Sequence, residues 1–289
     1  MEEKEFRDWL SVYTDPDLFI TTILRQKPSF RVNTLKISNE TFDTVSNLKC
    51  RKCSWYSDAR VVESKIQLGN TFEYFLGYIH PQSLSSMLPP LALAPEENDY
   101  ILDICASPGS KTTQLAALMK NTGTLVANDI PEREIALIPN IARLGVINVI
   151  CTNKDAKNYP LKNEFKKVLV DAPCTALGSS LNASKRFSVE MANTMGRIQK
   201  RIIANAYDAL AEGGVLVYST CTIAEEECEE VVSWLLENRQ SAKVEEISLD
   251  VPHECGLAEY GSEIAKTWRV YPQHLESEGF YLARIKKVV

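Results

Sequence analysis

The stretch YILDICASPGSKTTQLAALM, residues 100–119, decides the fold. Ile101, Leu102 and Ile104 read as a short apolar strand, Ser107, Pro108 and Gly109 as a turn, and Leu115, Ala116, Leu118 and Met119 as one face of a helix. Open α/β sheets place ligands where a strand passes through such a turn into a helix N-terminus, because unpaired backbone N–H groups and the helix dipole converge there. Asp103, at the strand end, faces whatever binds. A dinucleotide fingerprint needs three glycines and this loop has only Gly109; an NTPase phosphate loop needs glycine before Lys111, where Ser110 stands. A ligand without a pyrophosphate fits better, and S-adenosylmethionine is the expected cofactor.

Working outward, residues 124–128 form a second strand ending at Asp129, an acidic residue placed for ribose hydroxyls. Residues 148–151 form a third, followed by Asp155, and 165–170 a fourth, ending in DAPC. A long helix over 189–210, stopped by Gly213 and Gly214, leads to a fifth strand, 215–218, ending in STC, and a helix over 225–237. Late strands at 244–247, 267–270 and 280–285 include an antiparallel pair. The pattern predicts an α/β fold, a Rossmann-like class I methyltransferase domain over 96–289. Residues 1–95 are expected to form a small separate α+β unit: a helix opened by Asp15 and Pro16, a strand over 30–37, a helix capped by Ser38, and strands at 59–62 and 74–79. Pro89 and Pro90 should break the helix that follows, and Pro139 should kink the one opened by Pro131.

Of 289 residues, 45% are hydrophobic and 24% charged, which excludes disordered and fibrous designs. No apolar run approaches a membrane span, and the acidic start MEEKEFRDWL fits neither a secretory signal nor a transit peptide, so a cytoplasmic location is expected. Eight cysteines then read as reduced thiols, and Cys50 and Cys53, a CxxC without a second pair, as no metal site. A net charge of -6 argues against a nucleic-acid partner, but the charge is uneven: residues 154–201 carry ten Lys and Arg against four acids. The glutamates at 225, 226, 227, 229 and 230 read as a solvated helix face.

Cys174 and Cys221 each lie just past the carboxyl end of an expected central strand, where ligands bind. Thr222 and Glu225 have capping-box spacing, which would put Cys221 immediately before a helix N-terminus that favours its thiolate. Paired thiols suit methylation at carbon 5 of cytosine. That carbon is too electron-poor to attack a sulfonium methyl unaided, so a thiolate adds at carbon 6; a second thiol can assist release, and Asp171 is placed to stabilise the ring at its Watson-Crick edge.

The sequence resembles the RNA cytosine-C5 methyltransferases of the NOL1/NOP2/Sun type, through RVNTLK (31–36), HPQSLSS (80–86), LDICASPGSKT (102–112), NDI (128–130), DAPC (171–174), YSTCT (218–222) and GFYLARIKK (279–287), in the family's order. The resemblance implies that Cys105, Ala106, Ser107, Pro108, Gly109, Ser110, Lys111, Asp129, Asp155 and Asp171 line the S-adenosylmethionine pocket, that Cys221 is the nucleophile and that Cys174 helps release the product. Ser107 and Ser110 replace an alanine and a glycine usual in the family's cofactor loop, and Ala176 replaces a glycine at a position that often needs φ > 0. By the chain's length for the family, no PUA-type domain is expected. The chain looks like the compact archaeal-type tRNA enzymes, so tRNA is the expected partner and a monomer the expected state, with ribosomal RNA or a non-catalytic RNA-binding role as alternatives. Phosphate contacts are expected from Lys185, Arg186, Arg197, Lys200 and Arg201 and from the N-terminal unit near Arg31 and Lys36.

Overall fold

Consecutive apolar residues such as Val168, Leu169 and Val170, or Val215, Leu216 and Val217, require a sheet covered on both faces. The computed structural model, which describes residues 3–64 and 66–288, has that sheet. Helices α1 (Glu3–Leu10) and α2 (Pro16–Arg25) come first. Strands β1 (Ser29–Val32), β2 (Cys50–Lys52), β3 (Ala59–Val62) and β4 (Ile79–Pro81) then form a small antiparallel sheet in the order β2-β3-β1-β4, with α3 (Asn39–Val45) and α4 (Phe72–Phe75) in its connections. Helix α5 (Leu88–Leu93) leads to β5 (Tyr100–Asp103), α6 (Ser110–Leu118), β6 (Thr124–Asn128), α7 (Pro131–Leu144), β7 (Val149–Thr152) and β8 (Phe165–Asp171). After these come α8 (Leu181–Arg186), α9 (Val189–Ala209), β9 (Leu210–Thr220), α10 (Glu229–Asn238), β10 (Ala242–Glu245), β11 (Glu254–Cys255), β12 (Trp268–Val270), α11 (Pro272–Leu275) and β13 (Phe280–Lys287).

The main sheet runs β11-β12-β13-β9-β8-β5-β6-β7, with β10 also paired to β13. Its five strands from β9 to β7 are parallel, and β13 lies antiparallel to β9. The chain steps outward from β5 to β7 and returns to β8 on the other side of β5, so the switch point of the sheet falls at the carboxyl end of β5. Side chains alternate between two layers. Ile101, Leu169, Val215 and Val217 pack with Leu93, Leu115 and Leu137 on one face; Leu102, Val168, Val170 and Leu216 pack with Ile202, Ile203 and Val231 on the other.

Residues 1–95 do not stand apart as the sequence suggested. Phe6 and Leu10 of α1 and Phe19 and Ile20 of α2 are buried with Leu177, Phe187, Ile223 and Tyr271, far along the chain. Leu88 and Leu93 of α5 belong to the main core, and Ala59 and Val61 turn one face of the small sheet into it. Arg31, expected at an RNA surface, is fully buried and donates to Gln82 Oε1 at 3.4 Å and Thr113 Oγ1 at 3.1 Å.

Other local expectations shift for identifiable reasons. The strand expected over 30–37 stops at Val32 because Asn33 turns the chain, its amide bonded to Gly77 O and Leu144 O at 2.8 Å. In place of a strand over 74–79, Thr71 caps α4 by accepting from Tyr74 N at 3.2 Å. Pro89 and Pro90 sit in the first turn of α5, where no intrahelical N–H is needed. Gly213 and Gly214 lie inside β9, where pairing jumps from Phe165↔Leu210 to Lys167↔Val215; the helix has already ended at Ala209.

Phe19 is fully buried in a cluster with Leu177, Phe187, Ile223 and Tyr271. Phe19→Ala is therefore expected to cost about 3–5 kcal/mol of stability, measured by urea unfolding.

Candidate active site

The loop after β5 is shaped by Gly109, which has φ +101°, a conformation L side chains rarely adopt; an added Cβ would stand 3.0 Å from Leu137 Cδ1. Gly109 N–H donates to Ala106 O at 2.7 Å and Ala106 N–H to Asn128 O at 2.8 Å, which fastens the loop to β6. No side chain caps α6, so its first-turn N–H groups remain available for a ligand. The Ser107–Pro108 peptide is cis. Asp129 steadies the loop from the next strand: Oδ2 accepts from Ser107 N at 2.8 Å and Oδ1 from Ile130 N at 2.8 Å, leaving each oxygen a second lone pair. Cys105 is buried, and burial together with Asp129 and Asp103 pushes its thiol well above the ordinary thiol pKa.

Asp103 accepts from Thr112 Oγ1 through Oδ2 at 2.7 Å, while its buried Oδ1 has no partner. Burial pushes its pKa up to about 7, against the Thr112 hydrogen bond. Ser110, where the family usually has glycine, has a partner: His80 on β4 lies with Nε2 2.8 Å from Ser110 Oγ, and its Nδ1 lies 3.0 Å from Arg143 Nη2. The guanidinium can only donate, so Nδ1 accepts and Nε2–H donates to Ser110. Burial, with Arg31 and Arg143 adding to it, lowers the His80 pKa to about 3.

Lys111 crosses from the start of α6 to the end of β8. Its Nζ donates to Asp171 Oδ2 at 2.7 Å and Ser86 Oγ at 2.8 Å and lies 5.3 Å from the Phe280 ring centroid. Burial disfavours the ammonium, but Asp171 outweighs it and holds the Lys111 pKa above the ordinary value. Asp171 Oδ1 accepts from Ser219 Oγ at 2.9 Å. Beyond these two strand ends the thiols meet, with Cys174 Sγ and Cys221 Sγ 3.2 Å apart. The contact with Cys221, then burial, raises the Cys174 pKa well above the ordinary value, so Cys174 is a neutral thiol.

Asp155 is exposed at the start of the short turn 156–158, where it accepts from Lys157 N at 2.9 Å. Two expectations are corrected here. The capping box after Cys221 does not form: a 3₁₀ turn spans 225–227, α10 begins at Glu229, and Glu225 bonds Tyr13 and Tyr260 instead. The acidic run is not a solvated face. Glu227 and Glu229 are fully buried, Glu229 in a paired hydrogen bond with Arg269 at 2.5 and 2.6 Å. Ser86, Ser219, His80 and Gln199 were given no role from the sequence, and Glu227 was read as solvated. The local signal was that His80, Ser86 and Ser219 lie in motifs the resemblance had marked.

A parallel sheet with a ligand loop at its switch point and two thiols at adjoining strand ends defines a Rossmann-like methyltransferase site. Residues 90–286 match the family described as 16S rRNA methyltransferase RsmB/F, and the chain belongs to that family. It is 38% identical over 275 residues to the tRNA (cytosine(49)-C(5))-methyltransferase of Pyrococcus abyssi, covering 90% of this chain and 88% of that one. It is 40% identical over 281 residues to the ribosomal RNA small subunit methyltransferase F of Vibrio vulnificus, covering 91% of this chain but 58% of the relative's length. Among solved structures, a methyltransferase homolog protein from Pyrococcus horikoshii superposes with TM-score 0.86 at 30% identity, covering 99% of this chain and 96% of that one. NSun6 from Pyrococcus horikoshii with SFG superposes with TM-score 0.87 at 25% identity, covering 99% and 98%.

Two predictions follow from the loops. An acid whose pKa is raised on folding binds its proton more tightly in the folded chain, so Asp103 costs nothing below pH 3.8, progressively more up to about pH 7, and a constant amount above. The stability difference between Asp103→Asn and the parent should move in the variant's favour across that window and level off above it, read by urea unfolding at a series of pH values. Ala176 has φ +56°, so Ala176→Gly is expected to stabilise the chain by about 1 kcal/mol, seen as a rise in thermal midpoint.

Proposed function

We propose that the chain is an S-adenosylmethionine-dependent methyltransferase that acts on carbon 5 of a cytidine in RNA, with tRNA as its substrate. The observation that carries this reading is the pair of thiols 3.2 Å apart beside the Lys111–Asp171 pair. The residues present suit the cofactor. The unpartnered Oδ1 of Asp103 calls for a donor or a cation, Asp129 retains capacity for hydroxyl groups, and α6 opens without a side-chain cap. Asp103, Asp129, Asp155, Asp171 and residues 105–111 would hold it. The cofactor, when bound, supplies the electrophilic methyl group.

Cys221 adds as thiolate to carbon 6 of the base, which makes carbon 5 nucleophilic. A thiolate at Cys221 also helps to keep Lys111 charged. Lys111 holds Asp171 in place, and Asp171 hydrogen-bonds the Watson-Crick edge of the activated ring. For release, the Cys174 thiol gives its proton to the departing Cys221 sulfur and takes the one leaving carbon 5. The C5–H electron pair restores the C5–C6 double bond, and the S–C6 pair leaves with Cys221. The cytidine must be unstacked, since carbon 6 is shielded in a helix. Arg186, Arg197 and Arg201 on and beside α9 are exposed and supply phosphate contacts.

Nucleoside mass spectrometry of tRNA, and separately of ribosomal RNA, after incubation with protein and S-adenosylmethionine tests the reading. New 5-methylcytidine in tRNA supports it; product only in ribosomal RNA keeps the chemistry and changes the substrate; product in neither overturns it. Cys221→Ala is expected to reduce turnover to background with cofactor affinity unchanged by calorimetry. Cys174→Ala is expected to accumulate a covalent protein–RNA adduct on a denaturing gel.

A further inference from the structure

One fully buried carboxylate near the thiols takes no part in the chemistry above. Glu227 lies between β9 and α10, its carbonyl accepting from the Tyr218 hydroxyl at 2.7 Å. Its Oε2 accepts from Thr175 N at 3.0 Å and from Gln199 Nε2 at 2.9 Å, and its Oε1 accepts from the Thr175 hydroxyl. Gln199 Nε2 also donates to Pro173 O at 2.8 Å. Both chain neighbours of Cys174 are thus tied to one carboxylate, Thr175 directly and Pro173 through Gln199.

The grip extends to the other thiol. The Thr175 hydroxyl, having donated to Glu227, accepts from the Thr222 hydroxyl at 3.1 Å, and Thr222 Oγ1 accepts in turn from Ala224 N at 3.3 Å. Thr222 directly follows Cys221. A chain of hydrogen bonds therefore runs from the segment after Cys221, through the segment after Cys174, to Glu227. Burying a carboxylate is costly, and an apolar side chain would fill the space more cheaply, so the value of Glu227 lies in what it holds.

We propose that Glu227 is a positioning residue for product release, setting the Cys174 thiol against Cys221 by gripping Pro173, Thr175 and Thr222. The proposal rests on the reading of the chain as a cytosine-C5 methyltransferase working through a Cys221 adduct. Glu227 touches neither base nor cofactor and acts through the two loops alone.

The test is steady-state kinetics with RNA, together with the fraction of enzyme held as covalent adduct on a denaturing gel. For Glu227→Ala, kcat is expected to fall about tenfold or more with KM for RNA changed by less than about threefold, and the adduct fraction to rise. Glu227→Gln should recover to within about threefold of the parent, because its amide oxygen still accepts from Thr175 N and Gln199 while its NH₂ reverses the bond to the Thr175 hydroxyl. Thr175→Val keeps the backbone contact and loses only the hydroxyl bonds, so it should raise the adduct fraction to a smaller extent, and it decides the matter if Glu227→Ala does not fold. A fall in kcat with no rise in adduct overturns the proposal, as does a Glu227→Gln variant as poor as Glu227→Ala, which would assign the role to charge. Cys174→Ala run alongside separates the two levels. If it traps adduct and the Glu227 and Thr175 variants do not, only the role of Glu227 falls; if it traps none while the parent methylates RNA, the release reading fails and takes this proposal with it.

Discussion

The arrangement of the site depends on one register: Asp171 on β8 lies opposite Ser219 on its parallel neighbour β9. Parallel neighbours are about 4.8 Å apart, so loops leaving two adjoining strands at the same level start within side-chain reach of each other. Cys174 and Cys221 follow that pair by three and two residues, and their contact is inherited from the spacing of the sheet. Because β5 is the other neighbour of β8, Lys111 arrives from the opposite side and closes on Asp171. Three strands adjacent in the sheet but scattered in the chain deliver the whole cluster.

Charge burial around this cluster is consistent throughout. Lys111 is paired with Asp171, Arg269 with Glu229, and Glu227 has three donors. Removing one member of the fully buried Arg269–Glu229 pair leaves its partner charged and dry, typically at about 3–5 kcal/mol. Arg269 also donates to Ile223 O at 3.0 Å, so the segment just beyond Cys221 is held by a group on β12. Buried charges thus hold the segments on both sides of the thiols.

The sequence made the sheet legible because alternation and strand-ending motifs are local: β5, β6, β8 and β9 fall close to where apolar runs place them, as do the loop around Gly109 and both cysteines. What it concealed has distant partners. Glu227 and Glu229 read as a solvated run until Thr175, Gln199 and Arg269 are brought to them, and Arg31 read as a phosphate contact until Thr113 closed over it. The spacing of Thr222 and Glu225 was right for a cap, but Thr222 is committed to Thr175 and Glu225 to two tyrosines. Local propensity lost each time to a tertiary hydrogen bond.

His80 joins the small sheet to the cofactor-type loop through Ser110, and with a pKa near 3 it carries no charge at any pH a cell maintains. Histidine contacts between structural units often serve as acid-triggered latches. This one is fixed in a single tautomer by Arg143, and acidification within the range a cell experiences leaves it closed. The contact between the two sheets therefore does not depend on a histidine charge.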